Sequence, residues 1–203
     1  DDSASRGLGD VYKRQYMNKV QFLFAGGFII ALAIQKWNLH KRVALNILKF
    51  SGLNSRGIVA SFMVASAVLS MWVMNTSTAI MLLPVGISVI KVISDTVNDI
   101  SDNQKFNFQL CLLLGIAYAA SVGGIATPIG TSPNGVLIQF ASNNYDYDIG
   151  FANWISIGLP ITLGLGPLIW IFLTRIIFPV NFSATQESKD CLLYTSDAAD
   201  ERR

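Results

Sequence analysis

An uncharged polar run, Met74-Asn75-Thr76-Ser77-Thr78, interrupts an apolar stretch from Gly57 to Ile93 that holds no charged residue before Lys91. A second interruption, Gly130-Thr131-Ser132-Pro133-Asn134, lies inside the apolar region from Phe106 to Phe140. In lipid an unpaired backbone amide or carbonyl costs several kcal/mol. Non-helical chain at that depth therefore persists only where it is buried in protein or lines a watery cavity. Two interrupted hydrophobic segments are the sequence pattern of a carrier's binding site.

Composition supports membrane depth. The chain is 52% hydrophobic and 14% charged, against about one charged residue in four for a soluble domain. Its charges are segregated, with none from Phe106 to Tyr145 either. An all-α polytopic membrane protein in the lipid bilayer is expected, with no nucleic-acid partner. No enzyme signature is present. His40 is the only histidine and lies beside Lys41 and Arg42, where it reads as a solvated side chain. There is no metal-ligand cluster, no Gly-x-Ser-x-Gly and no His-Glu-x-x-His.

Both ends read as foreign sequence. Residues 191–203, starting Cys191-Leu192-Leu193-Tyr194-Thr195-Ser196, and residues 1–15, with Asp10-Val11-Tyr12-Lys13-Arg14, resemble the two strands of one sequencing adapter. Codons for Cys191 to Ser196, reverse-complemented and shifted one frame, encode the Asp10 to Arg14 run. The native part is then about Tyr16 to Asp190, an internal fragment without its natural amino terminus, and the ends are set aside from fold reasoning. Gly7-Leu8-Gly9-Asp10, a look-alike of an intramembrane protease motif, goes with them. So does Cys191, which leaves Cys111 as a small packed hydrophobe.

Between those ends there are ten Lys plus Arg, and five of them, Lys36, Lys41, Arg42, Lys49 and Arg56, fall in one short connection. Basic short loops stay in the cytoplasm, which places that bend. Residues 16–52 are expected to form a transmembrane helix and an amphipathic surface helix (38–52). Residues 53–93 form a re-entrant hairpin with arms 57–73 and 77–93. Residues 94–180 form a loop (94–105), a helix broken at 124–134, an external loop (142–148) and a last span (154–177). A loop, 181–190, follows. The hairpin is preferred to two spans because its tip carries only neutral hydrogen-bonding groups, where a solvent-exposed turn would carry Gly, Pro, Asp or charge.

The tip offers electrostatics without formal charge. A helix end directs carbonyls into the break and a helix start presents free amides. Carbonyls and hydroxyls suit a hard cation, and amides suit an anion. A dianion in a neutral pocket needs a neutralising partner, so a cation bound beside it couples the two. The bland alternative is that Asn75, Thr76 and Thr78 only bond helices together, at about 0.6 kcal/mol each. Asn75-Thr76-Ser77 also fits the glycosylation sequon, which requires an exposed external loop.

Ser70-Met71-Trp72-Val73-Met74-Asn75-Thr76-Ser77-Thr78 resembles the Ser-Asn-Thr hairpin of the divalent anion/sodium symporter family, and Gly115 to Asn134 resembles the broken fifth helix of that family's first inverted repeat. The resemblance implies a sodium site at Ser70, Met74, Asn75 and Gly130, and a substrate-carboxylate site at Asn75, Thr76, Thr131 and Ser132. Met74 stands where the family usually has serine, so a backbone carbonyl replaces a hydroxyl there; Ser132 replaces the usual proline. It further implies a homodimeric, multi-pass sodium symporter of the bacterial inner membrane, importing a small anionic substrate such as succinate, malate, fumarate or citrate. A proton-coupled citrate or arsenite carrier and a sulfate/sodium symporter are the alternatives. The fragment holds one repeat and is not expected to transport alone. Such a carrier requires Asn75 and Asn134 to lie close together, away from hydrocarbon and bulk water.

Overall fold

A computed structural model describes residues 19–37, 54–97 and 101–183. The expected foreign ends and the amphipathic helix at 38–52 lie outside these residues. The order is α1 (Lys19–Lys36), α2 (Ser55–Ser70), α3 (Asn75–Thr96), α4 (Asp102–Ile125), α5 (Ser132–Tyr145) and α6 (Phe151–Ile171), which continues as a π-helix, Phe172–Ile177. Among the described residues the fold is helical apart from one isolated antiparallel bridge, Asn54 to Ser183.

Among the described residues, three helices are long and apolar enough to cross a membrane: Asn75–Asp95, Asp102–Ile125 and Phe151–Ile177. The last two run through at 24 and 27 residues, or about 36 and 40 Å. α2 is shorter at 16 residues, about 24 Å.

α4 is the centre, packed against α2, α3 and α6. Val59 and Phe62 of α2, Leu82, Val89 and Ile93 of α3, and Phe108, Cys111, Leu112 and Ile116 of α4 make one apolar core. Cys111 is buried and free, a packed hydrophobe as its sequence setting suggests. Lipid tails are as apolar as leucine, so helices associate in a membrane through close packing, and small residues permit it. Ala65, Ala119, Ala120 and Gly123 are all buried where α2 and α4 meet. The apolar surplus, including Ile80, Ile87, Ile157, Leu163 and Ile176, points outward. Such a surface would aggregate in water and is at home in lipid.

At the other end of the hairpin, residues 178–183 cross over the start of α2. Ser55 N donates to Phe182 O (3.0 Å) and Phe182 N to Ser55 Oγ (3.3 Å). Arg56 Nε donates to Val180 O (2.9 Å), and Trp170 Nε1 to Arg56 O (3.1 Å). Phe182 meets Phe108 edge to face at 5.3 Å. The start of α2, the start of α4 and the end of α6 thus share one side of the molecule.

Most helices run longer than the sequence expectation, but α2 ends at Ser70 where the arm is expected to reach 73, so the first break, Met71 to Met74, is four residues where three (74–76) are expected. The expected loop at 94–105 is bounded by helices ending at Thr96 and restarting at Asp102, and α5 runs to Tyr145. Asp146 closes α5 in the left-handed conformation (φ 52°), which Asp tolerates better than most non-glycine residues.

Candidate ion and anion site

The break between α2 and α3 is only Met71 to Met74, and that between α4 and α5 is Ala126 to Thr131. They are folded against each other. Ser66 and Ser70, one turn apart on α2, donate to Ile116 O (2.7 Å) and Ala120 O (2.6 Å), one turn apart on α4. Thr127 Oγ1 donates to Met71 O and accepts from Gly130 N (3.1 Å). A methyl group on Gly130 would lie 2.6 Å from Gly124 O and 2.8 Å from Ser70 O. Only glycine lets the second break come this close to the end of α2.

The end of α4 is buried in protein, and the last carbonyls of a helix have no intrahelical partners. At the end of α4 each of them has a protein donor. Val122 O accepts from Thr162 Oγ1 (3.0 Å), Gly123 O from Ala126 N (3.1 Å), Gly124 O from Asn134 Nδ2 (2.9 Å) and Ile125 O from Trp154 Nε1 (2.9 Å). Asn134 is 8% exposed, and its Nδ2 also donates to Thr127 O (2.8 Å). Trp154, Gly158 and Thr162 form one stripe on α6. A methyl group on Gly158 would lie 2.6 Å from Ile125 O, so glycine brings the two donors within reach. Thr162→Val keeps the shape and removes the hydroxyl, stranding Val122 O. It is expected to cost about 1–3 kcal/mol, read as a lower Tm in detergent, with Thr162→Ser restoring most of it. Unchanged melting of Thr162→Val would show that water can replace the hydroxyl.

Asn75 stands where the two breaks meet. One end of its carboxamide points at three oxygens: Ser70 Oγ at 2.8 Å, Ala120 O at 3.2 Å and Gly130 O at 3.2 Å. Its other neighbour is Gly124, where a methyl group would overlap the carboxamide. Since Asn134 donates to Gly124 O, Asn75 and Asn134 flank one peptide from two sides, and both are at least partly buried. Three oxygens around one amide end allow two satisfied arrangements. Nδ2 turns inward and donates to them, or Oδ1 turns inward and a cation lies among the oxygens.

Of the residues expected to hold sodium, Ser70, Asn75 and Gly130 are brought together. Met74 is the extended residue before α3 (φ −52°, ψ 141°), with an exposed side chain and a carbonyl that accepts from Thr78 N (3.0 Å). Of the residues expected to meet the anion, Asn75 and Thr76 occupy the first turn of α3, and Thr131 and Ser132 open α5. Thr131 is half-buried, while Thr76 and Ser132 are exposed. The amides of Asn75, Thr76 and Ser77 precede α3's first intrahelical bond, so two helix starts present N–H groups beside the two carbonyl-rich ends. Among the described residues no group of three His, Cys, Asp or Glu side chains comes together, so the donor set here is neutral. Thr127, Trp154 and Thr162 are absent from the sequence expectation of the site.

Comparison with known proteins gives one consistent answer. The chain matches the citrate transporter family over residues 9–199. It is similar to the sodium-dependent dicarboxylate transporter SdcS of Staphylococcus aureus (strain USA300), with 39% identity over 166 residues, covering 81% of this chain and 32% of that protein. It is 36% identical over 179 residues to the protein of the same description from Staphylococcus saprophyticus, covering 88% of this chain and 34% of that one. The chain thus spans about a third of the length of these relatives. The hairpin with its neutral tip, the broken helix crossing it and these matches agree: the chain belongs to the citrate transporter family and, with it, to the divalent anion/sodium symporters.

Proposed function

We propose that the full-length protein is a sodium-coupled symporter importing di- or tricarboxylates such as succinate, malate, fumarate or citrate. It is a multi-pass protein of the bacterial inner membrane that works as a homodimer. The sodium-dependent dicarboxylate transporters among its relatives support this reading. The observation that carries it is the Asn75 carboxamide facing Ser70 Oγ, Ala120 O and Gly130 O.

Sodium is a transported substrate here. Its ligands are Ser70, Asn75, Gly130 and the Met74 carbonyl, an all-oxygen, uncharged set suited to a hard monovalent ion. With sodium present, Asn75 Oδ1 turns toward it and Nδ2 turns outward, toward the anion. The substrate carboxylate is met by Asn75, Thr76, Thr131 and Ser132 at the starts of α3 and α5, where amides and the positive ends of two helix dipoles converge. A dianion in a neutral pocket is unstable alone, so the anion binds well only after the cation has turned Asn75. In this reading residues 53–93 re-enter from the cytoplasm and 94–180 supply the broken helix and the following span.

Uptake of labelled succinate by the full-length protein, with sodium replaced by choline at fixed pH, tests the reading. Uptake is expected to fall to background in choline. Uptake that persists in choline and follows a pH gradient would instead identify a proton-coupled carrier. Competition by unlabelled sulfate separates carboxylate from sulfate transport.

A further inference from the structure

Two cavities on the outer surface of the α2–α4–α6 unit meet at Trp170. One, of about 540 Å³, lies beside the start of α2 and is lined by polar chain, including Asn54, Arg56, Asn181 and Ser183. The other, of about 410 Å³, is a groove lined by Ala60, Val64 and Val68 of α2, Val122 of α4, and Leu163 and Pro167 of α6, with almost no polar surface. Trp170 lines both, and its Nε1 donates to Arg56 O (3.1 Å).

We propose that these two neighbouring cavities, which share Trp170 in their walls, together bind one anionic phospholipid, with its phosphate on Arg56 and an acyl chain in the groove. Arg56 is half-buried and its Nε is held by Val180 O (2.9 Å). That bond fixes the plane of the guanidinium, and its two terminal nitrogens have no ion-pair partner among the described residues. Such a fork matches two oxygens of a phosphate. The Arg56 cavity alone would suit any anion and the groove alone any hydrocarbon; their adjacency at Trp170 selects a molecule with an anionic head and an apolar tail. Dimensions agree. From Ala60 to Met71 the groove follows α2 for about 16 Å, roughly half of a 30 Å hydrocarbon core and so one leaflet. Arg56 also ends the run of basic residues on the side assigned to the cytoplasm, where basic pockets between helices recognise anionic head groups. Tryptophan at the junction of polar and apolar surface is the residue type of that interface. The proposal stands on these residues and does not depend on which anion the protein carries.

The test uses the full-length protein, stripped of native lipid and reconstituted with brominated phosphatidylglycerol diluted in phosphatidylcholine, and with the labels exchanged. Subtracting the fluorescence of Trp170→Phe isolates the Trp170 signal. Quenching of that signal by dilute brominated phosphatidylglycerol is expected to exceed that by equally dilute brominated phosphatidylcholine about five-fold or more, and to lose the excess in Arg56→Gln. Val64→Phe with Val68→Phe fills the groove without touching Arg56 and is expected to remove the quenching as well, which keeps the test decisive if Arg56→Gln misfolds. Equal quenching by the two lipids would mean only bulk lipid passes the groove. No quenching by either would mean that the rest of the full-length chain covers it. Both results overturn the proposal, as does quenching that survives the groove-filling variant.

Discussion

Replacing Asn75 by alanine is expected to reduce sodium-dependent uptake by the full-length protein at least about 100-fold. The side chain stands between the two breaks, reaching Ser70 on α2, Ala120 on α4 and Gly130 in the second break. Its loss removes an oxygen ligand from the cation and strands oxygens that the amide satisfies in the cation-free arrangement. A hydrogen bond to a charged group is worth about 1.5–3 kcal/mol, and each 1.4 kcal/mol is a factor of ten in affinity, so one lost ligand accounts for most of the effect. Asn75→Asp makes the sharper variant. A carboxylate keeps an oxygen for sodium and repels the substrate carboxylate, so uptake is lost while sodium still raises Tm. If Asn75→Ala retained both uptake and the sodium-dependent rise in Tm, the cation would have to be held elsewhere.

The second large effect is steric. A methyl group on Gly123 would overlap the backbone of Ala67, including its carbonyl oxygen and Cα. Backbone in a packed helix cannot swing aside as a flexible side chain does, so Gly123→Ala forces α2 and α4 apart. Separation also lengthens the bonds from Ser66 to Ile116 O and from Ser70 to Ala120 O. Overpacking commonly costs about 1–3 kcal/mol, and two weakened buried bonds bring the expected loss above about 3 kcal/mol. Gly164→Ala is the control. Nothing lies within 4 Å of a methyl group there, and alanine gains up to about 1 kcal/mol in a helix interior. Thermal denaturation of both variants in one detergent reads the contrast. A Gly123→Ala protein that melts like the parent would show that α2 and α4 can separate at little cost.

The two breaks that meet in the fold were legible in the sequence because the signal is one of contrast. Neutral polar residues inside uncharged apolar segments stand out, and Ser70, Asn75 and Gly130 come from those segments. Their exact setting was harder to read. Asn75 and Thr76 look like the tip of a turn, yet they form the first turn of α3, because the extended residue that precedes the helix is Met74. Asn, Ser and Thr favour helix starts as much as turns, so a polar run does not say where the break ends. Pro133 and Asn134 likewise read as part of the second break, yet α5 begins at Ser132, because proline is favoured in the first turn of a helix. Trp154 and Thr162 were beyond reach, because their role depends on which carbonyls of α4 face α6. The sequence trace they leave, a tryptophan, a glycine and a threonine at four-residue intervals, is common on helices that merely pack.

The sealed end of α4 has a consequence for anything that must shift its depth in a bilayer. Where water completes the bonding of an interrupted helix, carrying that interruption through hydrocarbon strips the water and exposes bare carbonyls. Here Thr162, Ala126, Asn134 and Trp154 take that part, and they belong to the same folded unit. Were that unit to change depth they would move with it, so the dehydration cost of the gap is met once, when the chain folds.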